Sequence, residues 1–238
     1  MKKLLTTTLS VILFAFATKA QIQIGIKQGV NFSNFAYVIS DETAQFYDNF
    51  DVKGSAGFHL GGSMNYRFTD QIGLQVEMMY SQQGARFDLV EIVYFNQDVY
   101  LVEYELKRRM NYLNFPFMLN YQTLSGLNFE GGFGLGFLLS SKDAYKTETN
   151  IAELFFNNPQ LNEFIGIRDQ DSKEVHYSAE LYFALGVGYQ LPSGLNFGMR
   201  WMTGIGNSLD ESSDLYIEGE MLINKLLQFS IGFPIYGN

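Results

Sequence analysis

The chain has 238 residues, a formal net charge of −9 and no cysteine, and only 17% of it is charged while 16% is aromatic. The missing cysteines exclude disulfide staples and thiolate metal centres, and the acidic balance argues against nucleic acid as a partner. Soluble domains average about 25% charged residues, so part of this surface is expected to meet something other than water.

Lys2 and Lys3, the apolar stretch Leu4 to Ala17 and Thr18-Lys19-Ala20 together read as a secretory signal peptide over residues 1–20, cleaved after Ala20. That apolar stretch is shorter than the roughly 20 residues a spanning helix needs, and no other segment supplies such a run. Losing Lys2, Lys3 and Lys19 moves the net charge from −9 to −12 for residues 21–238.

From Gln21 onward the dominant pattern is an alternation of period two, the signature of strands with one apolar face. Eight segments carry it. The first holds Ile22, Ile24, Ile26, Val30 and Phe32, and the second Ala56, Phe58, Leu60, Met64, Tyr66 and Phe68. The third has Ile72, Leu74, Val76, Met78 and Tyr80, and the fourth Leu113, Phe115, Phe117, Leu119 and Tyr121. Leu127, Phe129, Phe133, Leu135, Phe137 and Leu139 form the fifth. The sixth is the most regular, apolar at every odd position from Tyr177 to Leu191. Leu195, Phe197, Met199, Trp201 and Ile205 make the seventh, and Leu227, Phe229, Ile231, Phe233 and Ile235 the eighth.

Connections are tight after strands two, four and six (Thr69 to Gln71, Gln122 to Gly126, Pro192 to Gly194). The other four are long: Ala36 to Lys53, Phe87 to Met110, Ser141 to Val175 and Asn207 to Ile223. This rhythm predicts an all-β fold, an eight-stranded antiparallel up-and-down transmembrane β-barrel with short periplasmic turns and long extracellular loops. The second long connection itself alternates, so strands three and four are expected to continue as a hairpin above the membrane, turning at Asn96-Gln97-Asp98. A short helix is expected near Ile151 to Phe164.

A soluble lipocalin-like barrel has the same period, with its apolar face turned inward. The opposite face decides against it. Instead of Lys, Glu and Thr it carries small and amide residues such as Gly25, Gly29, Asn31, Gly61, Asn65, Gly132, Gly134 and Gly198, which suit a narrow lumen. The few charges there are balanced, and with His59 they predict a polar network filling the bore: Lys27, His59, Arg67, Glu77, Glu130, Glu180 and Arg200. Leu181, Phe183, Leu185, Val187 and Trp201 are expected to face lipid, with aromatics at strand ends forming interfacial girdles.

Tyr112-Leu113-Asn114-Phe115-Pro116-Phe117-Met118-Leu119-Asn120-Tyr121 resembles the YLxxPxLLKY strand of the PorT-like outer-membrane β-barrel family, the porin-family type of Bacteroidota. The segments Glu130 to Gly136, Gly198 to Ile205 and Phe229 to Phe233 are similar to that family as well. The resemblance spans the whole chain after the signal and implies an integral protein of the Gram-negative outer membrane. The family's named member further implies a link to protein secretion. Pro116 must then face the lumen where the ladder is weakened.

Candidate chemistry is sparse. Gly131 to Gly136 lacks the Lys-Ser/Thr of a phosphate loop. His59 and His176 have no matching acid and Ser or Asp constellation, which leaves a rim-located outer-membrane hydrolase as the third reading. Asp169, Asp171 and Glu174 miss the glycine and remaining oxygens of a calcium loop. The acidic Asp210, Glu211, Asp214, Glu218 and Glu220 read as solvated loop, with loose divalent cations bridging to lipopolysaccharide as the alternative. The expectation is therefore a monomeric, non-enzymatic barrel without cofactor or bound metal. Its partners are outer-membrane lipid, lipopolysaccharide and a protein or glycan met through loops or turns, and the runner-up is a narrow porin for small solutes.

Overall fold

A computed structural model describes residues 21–38, 50–95, 98–149, 166–212 and 221–237. The signal segment 1–20, the helix expected near 151–164, the turn residues 96 and 97 and residues 213–220 of the acidic fourth connection lie outside the described residues.

Nine antiparallel strands form one closed sheet: β1 (Gln21–Val38), β2 (Phe50–Arg67), β3 (Ile72–Phe95), β4 (Asp98–Gln122), β5 (Leu127–Thr149), β6 (Gly166–Asp171), β7 (Ala179–Gln190), β8 (Asn196–Gly204) and β9 (Met221–Tyr236). Each pairs with its neighbour in the chain except β6 with β7, β1 pairs with β9, and β5 pairs with both β6 and β7. The ring therefore has eight positions, because β6 and β7 share one edge of β5, joined by a short 3-10 turn at Lys173–Val175. This differs from the expected single sixth strand. The third connection is correspondingly less of a loop than expected, since β5 runs on to Thr149 and pairs with β6 there.

One face of each of the eight ring positions is apolar and points outward across a common band, from Ile22 and Ile24 in β1 to Ile231 and Phe233 in β9. Along β5 the outward apolar row extends from Leu127 to Leu139. At about 3.3 Å per residue and a tilt of about 40° that row is roughly 30 Å tall, enough to cross a bilayer's apolar core. Trp201, Leu181 and Leu185 stand exposed on this face, and Phe183 is half covered there by Phe133, with ring centroids 5.3 Å apart.

Above that band β3 and β4 continue paired to Phe95 and Asp98, so the second connection is a strand hairpin rather than a loop. Its reach past Tyr80 is roughly 50 Å measured along the strand. Two irregularities change which residues face inward. Between Gly54 and His59 the β2–β3 register shifts, and Ser33 fills the gap by donating its hydroxyl to Gly84 O (2.8 Å) and accepting from Gly84 N–H (2.8 Å). In β5 an extra residue near Leu139 shifts the β4–β5 register, which turns Ser141 and Asp143 inward and Lys142 outward.

Pro116 is fully buried on the lumen side. The β3–β4 ladder pairs Val76 with Phe117 and resumes at Met79 with Asn114, leaving Glu77 and Met78 unpaired opposite the proline and its neighbour. A residue without an N–H belongs at such a break.

Candidate functional site

The interior is layered from the end with the tight turns to the end with the hairpin. Nearest the turns lies a polar cup of about 60 Å³ lined by Gln23, Asn65, Gln75, Asn120, Gln122, Asn128, Gln190 and Asn196, space for a few water molecules. Arg67 sits in its wall and donates to Gln122 Oε1 at 2.7 Å and Gln190 Oε1 at 3.4 Å. The carbonyl oxygens of Asn65, Asn120 and Asn128 have no protein partner and border this cup.

The cup is floored by four charges. Glu77 accepts from Lys27 Nζ at 3.0 Å and from Arg200 Nη1 and Nη2 at 2.7 and 2.8 Å, while Arg200 Nε donates to Glu130 Oε1 at 2.6 Å. Gln75 donates to Glu77 as well. Two cations and two anions cancel, and the side chains of Arg200 and Glu77 are 2% and 0% exposed. These residues come from β1, β3, β5 and β8, so the quartet ties distant walls of the ring across its bore.

His59 belongs to a separate group one step higher. Its Nδ1 lies 2.7 Å from Asn31 Oδ1, and Asn31 Nδ2 donates to Ser81 Oγ (3.0 Å), Gln82 O (2.9 Å) and Phe58 O (3.1 Å). Glu180 is apart again: it accepts from Asn224 Nδ2 at 3.4 Å beside a cavity of only about 10 Å³. The seven predicted lumen residues are thus divided among four places, with Lys27, Glu77, Glu130 and Arg200 together and Arg67, His59 and Glu180 each elsewhere.

Over the charges lie apolar layers. Met118, Tyr182, Ala184, Met202 and Leu226 pack in the middle of the bore. At the hairpin end Phe35, Ala85, Phe87, Met110, Tyr112, Leu138, Leu209 and Leu222 form a second core, with Val175 of the 3-10 turn packed against it. Arg108 clamps Asp143 through two contacts of 2.8 and 2.5 Å, its guanidinium 5.7 Å from the Phe87 ring centroid. Asp143 Oδ1 also accepts from Ser172 Oγ at 2.8 Å, which holds the β6–β7 link over the mouth. His176 lies in that link, its Nδ1 3.2 Å from Ser208 O. The strand residues in both layers keep the inward parity of their strands; a polar filling was expected on that face, so the apolar layers are a finding of the structure.

On the outside of the hairpin base, Arg86 and Lys53 grip Asp88 at 2.7 and 2.6 Å, and Glu105 accepts from Arg86 at 3.1 Å and Lys107 at 2.8 Å. The hydrogen bond from Arg86 is the main reason the Asp88 carboxyl is held below its ordinary range, and that from Lys107 does the same for Glu105. Among the described residues no group of three or more His, Asp or Glu side chains is gathered as a metal site. Asp214, Glu218 and Glu220 lie outside the described residues.

The family model for the outer membrane protein beta-barrel domain matches residues 16–210. This chain belongs to the outer-membrane β-barrel family. The barrel is therefore an integral outer-membrane protein, and its apolar outer band is the surface in contact with lipid. No curated protein sequence matches it. Solved structures similar to this outer-membrane barrel include the attachment invasion locus protein Ail of Yersinia pestis, at 11% identity and TM-score 0.39, over 89% of this chain and 98% of that one. Neisserial surface protein A is similar at 10% identity and TM-score 0.41, over 88% and 95%. The outer membrane protease OmpT of Escherichia coli is similar at 10% identity and TM-score 0.36, over 90% and 97%. The roles their names carry differ from one another, and the likeness assigns none of them to this barrel.

Proposed function

We propose that this protein is a sealed, non-enzymatic barrel that works as an interaction protein of the outer membrane, with the β3–β4 hairpin and neighbouring loops as its contact surface. The observation that carries this reading is the filled bore: a neutral charge quartet and two apolar layers stand between the polar cup and the hairpin end. Eight ring positions leave an interior that side chains can fill, whereas an aqueous channel needs a wider barrel. The chain is exported by cleavage after Ala20, its tight turns face the periplasm and its hairpin faces outward, and it acts as a monomer because the closed ring offers no strand edge in the lipid band. Within the family it belongs to the PorT-like type, which makes a secretion- or envelope-related protein or glycan the partner class.

Purified protein in planar bilayers tests the sealed bore, with no steady single-channel steps expected. Regular steps would support the narrow-porin reading instead. In cells, a photo-crosslinker at Lys107 on the hairpin base is expected to capture a partner and one at Ser125 in a tight turn is not. Capture from Ser125 alone would move the working surface to the periplasm.

A further inference from the structure

Along the outer wall of β4 and β5 the apolar band ends at a polar row in which Asn111 Nδ2 donates to Ser140 Oγ at 2.8 Å and Tyr80 Oη donates to Asn111 Oδ1 at 2.7 Å. One row higher, roughly 7 Å along the strands, Arg109 and Lys142 are direct cross-strand partners, both exposed. Like charges placed opposite each other on one face repel. Neither makes an ion pair with a described residue, although Asp171 is paired in register with Lys142 on its other side and accepts from the Lys173 N–H at 2.9 Å. The next row adds Lys107 and Arg86, which are directly paired to each other. Their carboxylate partners Glu105 and Asp88 stand farther from the band, so on β3 and β4 positive charge lies next to the lipid and negative charge beyond it.

We propose that this wall, centred on Arg109 and Lys142, binds the phosphate groups of an anionic lipid of the outer leaflet. The site is continuous with the lipid-contacting band. Its height is that of a headgroup rather than of acyl chain, and an arginine and a lysine side by side offer a fork and a point charge to phosphate oxygens. In a chain with net charge −9, a row with two adjacent unpaired cations is the local reverse of the whole. The β5 bulge creates it, since without the extra residue near Leu139 Lys142 would point into the bore. The inference rests on the outward orientation of the hairpin proposed above.

Native mass spectrometry of the detergent-solubilised full barrel tests it, with bisphosphorylated lipid A as probe and dephosphorylated lipid A as its comparison. Arg109→Gln/Lys142→Gln is expected to weaken binding of the bisphosphorylated form roughly tenfold to thirtyfold, at about one surface-charge contribution per residue. Binding of the dephosphorylated form is expected to be weak and the same for both proteins. Lys225→Gln, on the wall formed by β9, is expected to change affinity less than twofold. Unchanged heat-dependent gel mobility of the double variant establishes that it is folded. The proposal is overturned if the double variant stays within twofold of the parent, or if millimolar inorganic phosphate displaces the lipid, which would mark a free-anion site. Binding in detergent does not depend on which end of the barrel faces outward, so surface labelling of Glu103→Cys on the hairpin in cells reports the orientation separately.

Discussion

Replacing Arg200 with methionine removes the one side chain that contacts both carboxylates of the lumen quartet. Glu77 retains Lys27 at 3.0 Å, but Glu130 loses its 2.6 Å contact with Arg200 Nε, its one ion pair among the described residues. Breaking a buried pair by removing one partner costs about 3–5 kcal/mol, because the remaining charge stays desolvated. That is a fall of roughly 10²- to 10⁴-fold in the folded population ratio. The combined variant Lys27→Met, Glu77→Leu, Glu130→Leu, Arg200→Met leaves no charge behind and is expected to recover to within about 1 kcal/mol of the parent or to exceed it. The chain's single tryptophan, Trp201, adjoins Arg200 in sequence and stands on the lipid face, so its emission in vesicles follows unfolding in urea. An Arg200→Met barrel within about 1 kcal/mol of the parent would refute the reasoning, since Glu130 would then have to be solvated or neutral without its partner.

Gly29 faces the bore where a Cβ would come 1.9 Å from Phe229 O and 2.8 Å from His59 Cε1. Gly29→Ala is expected to cost about 1–3 kcal/mol by overpacking, read as a lower urea midpoint, and an unchanged midpoint would mean that β1 and β9 can spread. Asp143→Ala leaves Arg108 without its buried carboxylate and Ser172 with Ser141 Oγ alone, so proteolysis in residues 172–178 is expected to accelerate while the lipid-embedded band stays protected. The Asp88 carboxyl, held below its ordinary value of 3.8 first by the Arg86 hydrogen bond, contributes stability that is fully present above that value. That contribution is lost as pH falls through the lowered folded value. Protection of amides at the hairpin base, corrected for the intrinsic pH dependence of exchange, is therefore expected to fall below about pH 4, and Asp88→Asn to reduce that fall, with Glu105 supplying the remainder.

Period two made the wall legible because outward and inward positions alternate without exception while the ladder is regular. Leu181, Leu185 and Trp201 could be assigned to the outer face, and Lys27, Glu77, Glu130 and Arg200 to the bore, from parity alone. Pro116 was legible for a different reason, since a missing N–H has few places to go in a closed sheet. Parity fails at a bulge. Asp143 and Lys142 exchange faces because one residue near Leu139 is left out of the β4–β5 pairing, and neither composition nor alternation marks that residue. The upper apolar core was hidden for another reason: Phe87 and Met110 keep the inward parity of their strands but bound a segment that reads as a connection until the hairpin register joins them. Grouping within the lumen was also beyond the sequence, because Arg200 meets Glu77 across 123 residues of chain.

A membrane barrel of this size has two surfaces on which to place chemistry, and the contents of the bore decide between them. Every charge in the quartet is satisfied by another member of it, and the layers above are apolar, so a solute moving through would have to separate buried ion pairs and then desolvate. Both costs fall on one path of a few tens of ångströms, where the polar groups of the upper half, such as Asn31 with His59 and Arg108 with Asp143, are already bonded to one another. The outer face of the hairpin base has the opposite properties. Its cations are exposed, and on β4 and β5 two of them, Arg109 and Lys142, make no ion pair among the described residues. Selective contact at the rim and the hairpin is therefore physically easier than transport through the centre, and the same bulge that turns Asp143 inward to close the mouth turns Lys142 outward toward the membrane surface.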